Sequence, residues 1–215
     1  MKAYVLRSYG PPDLLDLTNV GTPVPAVSEV LVRVRATSVN AYDWHHLRGE
    51  PRVARLMPGT LGLRGPKFRI LGCDVAGQVE AVGAEVTEFR PGDDVFALLE
   101  RGGGFAEYVS VPERLLARQP RNLSCEQAAA VPMAATTALL GLRDVGRTGP
   151  GQRVLVNGAS GGVGMFAVQI ARALGARADA VCSAPNADLV RSIGAEAVRY
   201  QEQGHAPGKV IVTVE

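Results

Sequence analysis

From Glu29 to Ala36 the chain reads EVLVRVRA, in which Val30, Val32 and Val34 alternate with Arg33 and Arg35. A period of two is that of a strand with one face buried. The alternation returns in QVEAVG, DDVFALL and EYVSVP, and turn signals fall between the runs at Gly83, Pro91-Gly92 and Gly102 to Gly104. The stretch to about Pro120 is therefore expected to be mainly β, a partly closed barrel or a sandwich.

The pattern changes at NLSCEQAAAVPMAATTALLGL, where Ser124 followed by Gln127 gives a capping-box signature ahead of an alanine-rich helix. Pro132 is expected to break or kink that helix. Beyond the turn TGPG come a strand QRVLVN, a helix GVGMFAVQIARAL stopped by Gly175, a strand ADAVCS, a short helix NADLVRSI stopped by Gly194, and a strand EAVRY. Strand, helix, strand, helix, strand is the order of a parallel mononucleotide-binding half-sheet.

Composition narrows the function classes. The 215 residues are 47% hydrophobic and 20% charged, ordinary for a globular chain, and 23 basic against 21 acidic residues leave a net charge of +2. Such a balance favours neither nucleic acid nor a membrane surface, and the cations, almost all arginine, are scattered along the chain. A small neutral or electron-rich substrate suits it better. Cys73, Cys125 and Cys182 are odd in number and lack a CxxC pair, which argues for a reducing compartment. Arg7 interrupts the N-terminal apolar run, and Ala128 to Leu142 falls short of the roughly 20 residues of a span, so the expected location is cytoplasmic.

The stretch VLVNGASGGVGMF carries the candidate chemistry. A strand that enters a helix through glycines leaves the first helical N–H groups unpaired at the positive end of the helix dipole, where a pyrophosphate fits. Against G-x-G-x-x-G the match is Ala159, Gly161 and Gly164, with Gly158 just before, so the first position has drifted. Ala159, Ser160, Gly161, Gly162, Val163 and Gly164 are thus the candidate phosphate cradle. At the end of the second strand an acid would grip the ribose of NAD; this chain has Ser183, which tolerates a 2′-phosphate and favours NADPH, with NADH as the alternative.

Several stretches together resemble the zinc-independent quinone oxidoreductases of the medium-chain dehydrogenase/reductase superfamily: TSVNAYDWHHLRGEP, RILGCDVAGQVEAVG, RPGDDVF, GGGFAEYVSVP, AAAVPMAATTAL, VNGASGGVGMFAVQIARALGA, LVRSIGAEAV and GHAPGKVIVTVE. The resemblance implies a mixed α/β chain with a GroES-like substrate domain over 1–121, a partial Rossmann domain over 122–202 and a final strand over 203–215 that returns to the first domain. It implies NADPH-dependent reduction of quinones or conjugated enones. Zinc members carry Gly-His-Glu where this chain has Gly72, Cys73 and Asp74, and a cysteine near Asn40, so the ligand set is incomplete and no metal is expected. Without metal, hydride transfer rests on holding donor and acceptor within about 3.5 Å. By resemblance Asn40 lies beside nicotinamide and substrate, His45 is the second candidate polar group, Thr136 faces the cofactor, and Ser183, Asn186 and Tyr200 contact the 2′-phosphate, though Asn186 lacks the charge relatives commonly carry there. Tyr42, Asp43 and Trp44 read as structural, with Asp43 capping a turn.

The departure comes after Tyr200. Each βαβ unit takes roughly 30 residues, yet EAVRY passes through QEQGHAPG directly into KVIVTVE. That link is shorter than the 10 to 12 residues of a typical parallel crossover, so KVIVTVE is expected to be the family's last strand and not a fourth parallel one. One neighbour of VLVN is then missing, and its bare apolar edge invites pairing with a second copy, a homodimer. Two readings follow: an active oxidoreductase, or a catalytically impaired nucleotide-binding or interaction protein derived from one.

Overall fold

The computed structural model describes residues 1–57, 61–200 and 210–213, the backbone alone for 197–200 and 210–213. The chain divides into two compact units, the first covering Met1–Pro132 and taking in a late strand, the second beginning at Met133.

In the first unit a hairpin of β1 (Lys2–Leu6) and β2 (Leu15–Asn19) precedes β3 (Glu29–Val39), helix α1 (Ala41–Arg48), β4 (Asp74–Val82), β5 (Asp94–Leu98), β6 (Tyr108–Pro112) and β7 (Leu116–Arg118). Short helix α2 (Cys125–Ala129) closes it. The long β3 organises the sheet: it pairs antiparallel with β4 along one side and with β6 over Glu29 to Arg33 on the other. Its alternating valines meet Val75, Val79, Val95, Val109 and Val111 in the main core. Alternation stops at Ala36, Thr37 and Ser38, all buried. There α2 covers the second face of the sheet, and Ala36 and Ala76 pack on Ala128 and Ala129. The capping box forms as the sequence indicates: Gln127 N–H donates to Ser124 Oγ at 3.3 Å, and Ser124 N–H donates to Gln127 Oε1 at 3.0 Å.

Pro132 does separate α2 from α3 (Pro132–Leu139), which runs on as a wider π turn over Leu140–Val145. The second unit continues through β8 (Arg153–Asn157), α4 (Gly162–Ala173), β9 (Arg177–Cys182), α5 (Ala187–Ser192) and β10 (Ala197–Tyr200). The strands lie parallel in the order β10, β9, β8, the parallel mononucleotide-binding half-sheet the pattern predicts. Gly164, Val168 and Ala171, spaced four and three apart, form the buried stripe of α4. They rest on Val156, Ala178 and Ala180, small residues that let helix and sheet approach closely. On the opposite sheet face Leu155 stays 64% exposed beside an Arg153–Asp179 ion pair.

The last strand, β11 (Val210–Thr213), pairs antiparallel with β3, Val210 opposite Val39 and Thr213 opposite Ala36. It joins the first unit's sheet and is not a fourth parallel strand of the second. Lys209, Val214 and Glu215 of the KVIVTVE stretch, and the link over 201–209, lie outside the described residues.

Candidate functional site

In the second unit β8 ends at Asn157 and the chain turns through Gly158, whose φ of +72° is open to glycine and strained for other residues. Ala159 follows, fully buried, its N–H donating 2.9 Å to the Val181 carbonyl and so tying the turn to β9. Ser160 is also buried. Gly161 stands at the N-cap of α4, and no side chain caps the helix. The first internal helical bond runs from Met165 N–H to the Gly161 carbonyl, so the amides of Gly162, Val163 and Gly164 precede the helical ladder. Gly161 N–H differs: it donates 2.9 Å to the Gly158 carbonyl. The cradle thus begins one residue later than the motif indicates.

Space around the turn agrees with that geometry. A Cβ on Gly158 would meet nothing within 4 Å, and one on Gly161 only the Gly158 carbonyl oxygen at 3.3 Å. A Cβ on Gly164 would overlap that same carbonyl and stand 2.7 Å from Ala159 Cα. Gly164 is therefore required for packing, while Gly158 and Gly161 border open space. An open groove of about 390 Å³ runs along the turn and β8, lined by Leu142, Leu155, Val163 and the glycines. Together, uncapped amides, dipole and free space fit a diphosphate.

The structure joins three of the predicted cofactor residues. Asn186 Nδ2 donates 2.9 Å to Ser183 Oγ and 3.3 Å to Ser160 Oγ, linking the glycine turn to the end of β9. Among the described residues no side-chain cation bonds to that trio. Thr136 lies exposed on α3, outside the groove lining. Tyr200 ends β10 opposite Cys182.

In the first unit Asn40 is the N-cap of α1 and the hub of a polar cluster. Its Nδ2 lies 3.0 Å from Asp74 Oδ2, 3.1 Å from Cys73 Sγ and 3.3 Å from Ser38 Oγ. Ser38 Oγ donates to Asp74 Oδ2 at 2.5 Å, and Thr37 Oγ1 to the Asp74 carbonyl at 2.6 Å. Asp43 does cap, and more: its two oxygens accept the N–H groups of Asn40 at 2.8 Å and Gly72 at 2.9 Å. Burial pushes the Asp43 carboxyl above its ordinary range against the pull of those two amides, and burial likewise raises the Tyr42 phenol. Sequence reading missed Ser38 and Asp74, which stand 36 residues apart; only the resemblance, which sets Asp74 and a position near Asn40 at ligand places of the zinc members, hinted that they meet.

His45 is exposed, its Nδ1 3.0 Å from the Glu50 carbonyl and its ring edge-on to Trp44. His46 is buried, its Nδ1 held 2.9 Å from the Tyr42 carbonyl. Among the described residues no group of three or more His, Cys, Asp and Glu could hold a metal ion, and no helix is long and apolar enough to cross a membrane.

Comparison with known proteins adds to this geometry. Residues 26–121 match the alcohol dehydrogenase GroES-like domain. The chain is 35% identical over 223 residues to the bovine mitochondrial NAD(P)H oxidoreductase RTN4IP1, covering 98% of itself and 56% of that protein. It is 37% identical to the chloroplast envelope quinone oxidoreductase homolog of Arabidopsis thaliana, covering 92% of itself and 60% of that relative. Among solved structures, the quinone oxidoreductase of Coxiella burnetii superposes with a TM-score of 0.81 at 31% identity, over 93% of this chain and 62% of that one. The chain spans a little more than half the length of the curated relatives it matches.

Proposed function

We propose, from the GroES-like match and the likeness to quinone oxidoreductases, that the chain is a member of the quinone oxidoreductases of the medium-chain dehydrogenase/reductase superfamily and passes hydride from NAD(P)H to a quinone or conjugated enone without zinc. The observation that carries this reading is the uncapped start of α4 beyond the glycine turn, a cradle with no other occupant in the described residues. The nicotinamide, when bound, supplies the hydride.

The chain's own residues divide the remaining work. Ala159 to Gly164 form the turn, with the amides of Gly162, Val163 and Gly164 holding the pyrophosphate. Ser183, Asn186 and Tyr200 take the adenosine end, and we assign NADPH ahead of NADH because the Ser160, Asn186 and Ser183 trio offers hydrogen bonds and no carboxylate to repel a 2′-phosphate. Thr136 is kept as a cofactor contact. On the substrate side Asn40 positions, since its Nδ2 is committed to Ser38, Cys73 and Asp74. His45, exposed at the helix surface, delivers the proton that follows the hydride onto the oxygen, in place of or beside solvent. Three free thiols suit a reducing compartment, and we keep the cytoplasm as the location.

A second reading, a nucleotide-binding or interaction protein without turnover, is favoured by one feature: only residues 201–209 separate β10 from β11, so β8 has a single strand neighbour among the described residues. Pairing of two copies along that edge gives the homodimer we propose. Calorimetric titration with NADPH followed by a turnover assay with phenanthrenequinone separates the two. Binding with turnover supports the oxidoreductase; binding without turnover leaves the second reading, and absence of binding ends both.

A further inference from the structure

The net charge of +2 conceals an uneven surface. In the stretches 52–57 and 61–69 of the first unit stand Arg52, Arg55, Arg64, Lys67 and Arg69, with no aspartate or glutamate. Nine ion pairs form among the described residues, and none draws a cation from these stretches. Nine arginines elsewhere sit in these pairs, and others such as Arg35 and Arg121 do not, but here five cations follow one another in sequence with no acid among them.

The same stretches hold the three most exposed apolar side chains of the unit after Val24: Leu56 at 71%, Val53 at 64% and Leu63 at 62%. Arg52–Leu56 forms a single 3₁₀ helix, in which residues three apart share a ridge. Val53 and Leu56 therefore make one ridge, and Arg52 and Arg55 the next. The two stretches are fastened together. Arg55 donates 2.8 Å to the Gly49 carbonyl and lies 4.3 Å over the Tyr9 ring, while Tyr9 Oη donates 2.8 Å to the Gly62 carbonyl next to Leu63.

We propose that this basic and apolar surface docks the first unit onto a bilayer carrying anionic headgroups. The exposed leucines and valine enter the headgroup and acyl boundary, while Arg52, Arg64, Lys67 and Arg69 reach the phosphates along their apolar stems. Unpaired positive charge selects an anionic partner, and the exposed side chains interleaved with it give that partner an apolar depth to fill. The residues of this surface belong neither to the glycine turn nor to the Asn40 cluster, so the proposal stands or falls independently of the redox reading.

The test is co-sedimentation with vesicles of phosphatidylcholine alone or mixed with phosphatidylglycerol. The full chain is expected to sediment with the mixed vesicles, weakly with neutral ones, and to be released at about 0.5 M salt, where screening is nearly complete. At about fivefold per cation near an anionic surface, Arg52→Gln with Arg64→Gln lowers partitioning about 30-fold. Val53→Ser with Leu56→Ser lowers it at unchanged charge. All four positions are exposed, and the unfolding midpoint read in parallel verifies each variant; Lys67→Gln with Arg69→Gln replaces any that unfolds early. Equal sedimentation with neutral and anionic vesicles, no sedimentation with either, or folded variants that partition like the parent chain would overturn the proposal.

Discussion

The glycine turn of the second unit and the Asn40 cluster of the first present polar groups in opposite ways. The turn works by what is missing: Gly158 and Gly161 carry no side chain, no side chain caps α4, and three amides are left for a ligand. The cluster works by what is filled: Ser38, Asn40, Asp43 and Asp74 spend their hydrogen bonds on one another and on the backbone of Gly72. A site built from backbone can be read locally and disturbed by adding one atom. A site built from side chains depends on partners far off in the chain and is disturbed by removing one.

Gly164→Val sharpens the first half of that contrast and carries the largest expected effect. Its Cβ meets the Gly158 carbonyl and Ala159 Cα, backbone that cannot rotate away, so unfolding stability falls by about 3 kcal/mol or more in a denaturant titration. Asp74→Ala probes the other half. It strips the acceptor from Ser38 Oγ and Asn40 Nδ2 in a fully buried position, and the expected loss is about 2–3 kcal/mol. A loss as small as that of a surface substitution would mean the cluster is wet and the contrast false.

Gly161→Asp separates function from packing within the turn. Its Cβ finds room, with only the Gly158 oxygen at 3.3 Å, and φ of −78° suits any residue. The variant is expected to keep the parent's unfolding midpoint and to bind NADPH at least about tenfold more weakly, equivalent to about 1.4 kcal/mol, because a carboxylate now faces the phosphates. Unchanged affinity in calorimetry would mean the turn serves packing alone.

The contrast also accounts for what the sequence reveals. The order of strands and helices, the Ser124 cap, the break at Pro132 and the turn beyond β8 all rest on signals within a few residues, and all are present. Even there a local detail escaped: spacing alone does not show that the Gly161 amide closes on Gly158. The Asn40 cluster rests on β3 lying beside β4, which brings Thr37 opposite Val75 and Ser38 opposite Asp74, and no periodicity announces which polar residues two strands will share. The basic surface on 52–57 and 61–69 was hidden by averaging. Its cations are unremarkable in number and stand out only because no acid lies among them, whereas nine arginines elsewhere are held in ion pairs.

The smallest expected effect is a slope and not a step, and it bears on Asp43, the one member of the cluster held chiefly by backbone. Burial raises its carboxyl above the unfolded value near about 3.9, outweighing the amides of Asn40 and Gly72 that favour the charged form. A group whose folded pKa is raised contributes stability that is complete below the unfolded pKa and is lost as the pH climbs through the folded one. Asp43→Asn removes this titration and also turns an amide donor toward the N–H of Asn40 or Gly72, so it is less stable than the parent throughout. The gap between the two chains is widest in acid and narrows as the pH rises past the folded pKa, a trend read from paired denaturant titrations across the acid range. A gap that widened with pH would show that the two backbone amides, and not burial, govern this carboxylate, and the first unit would then hold charge by its backbone, as we propose for the second.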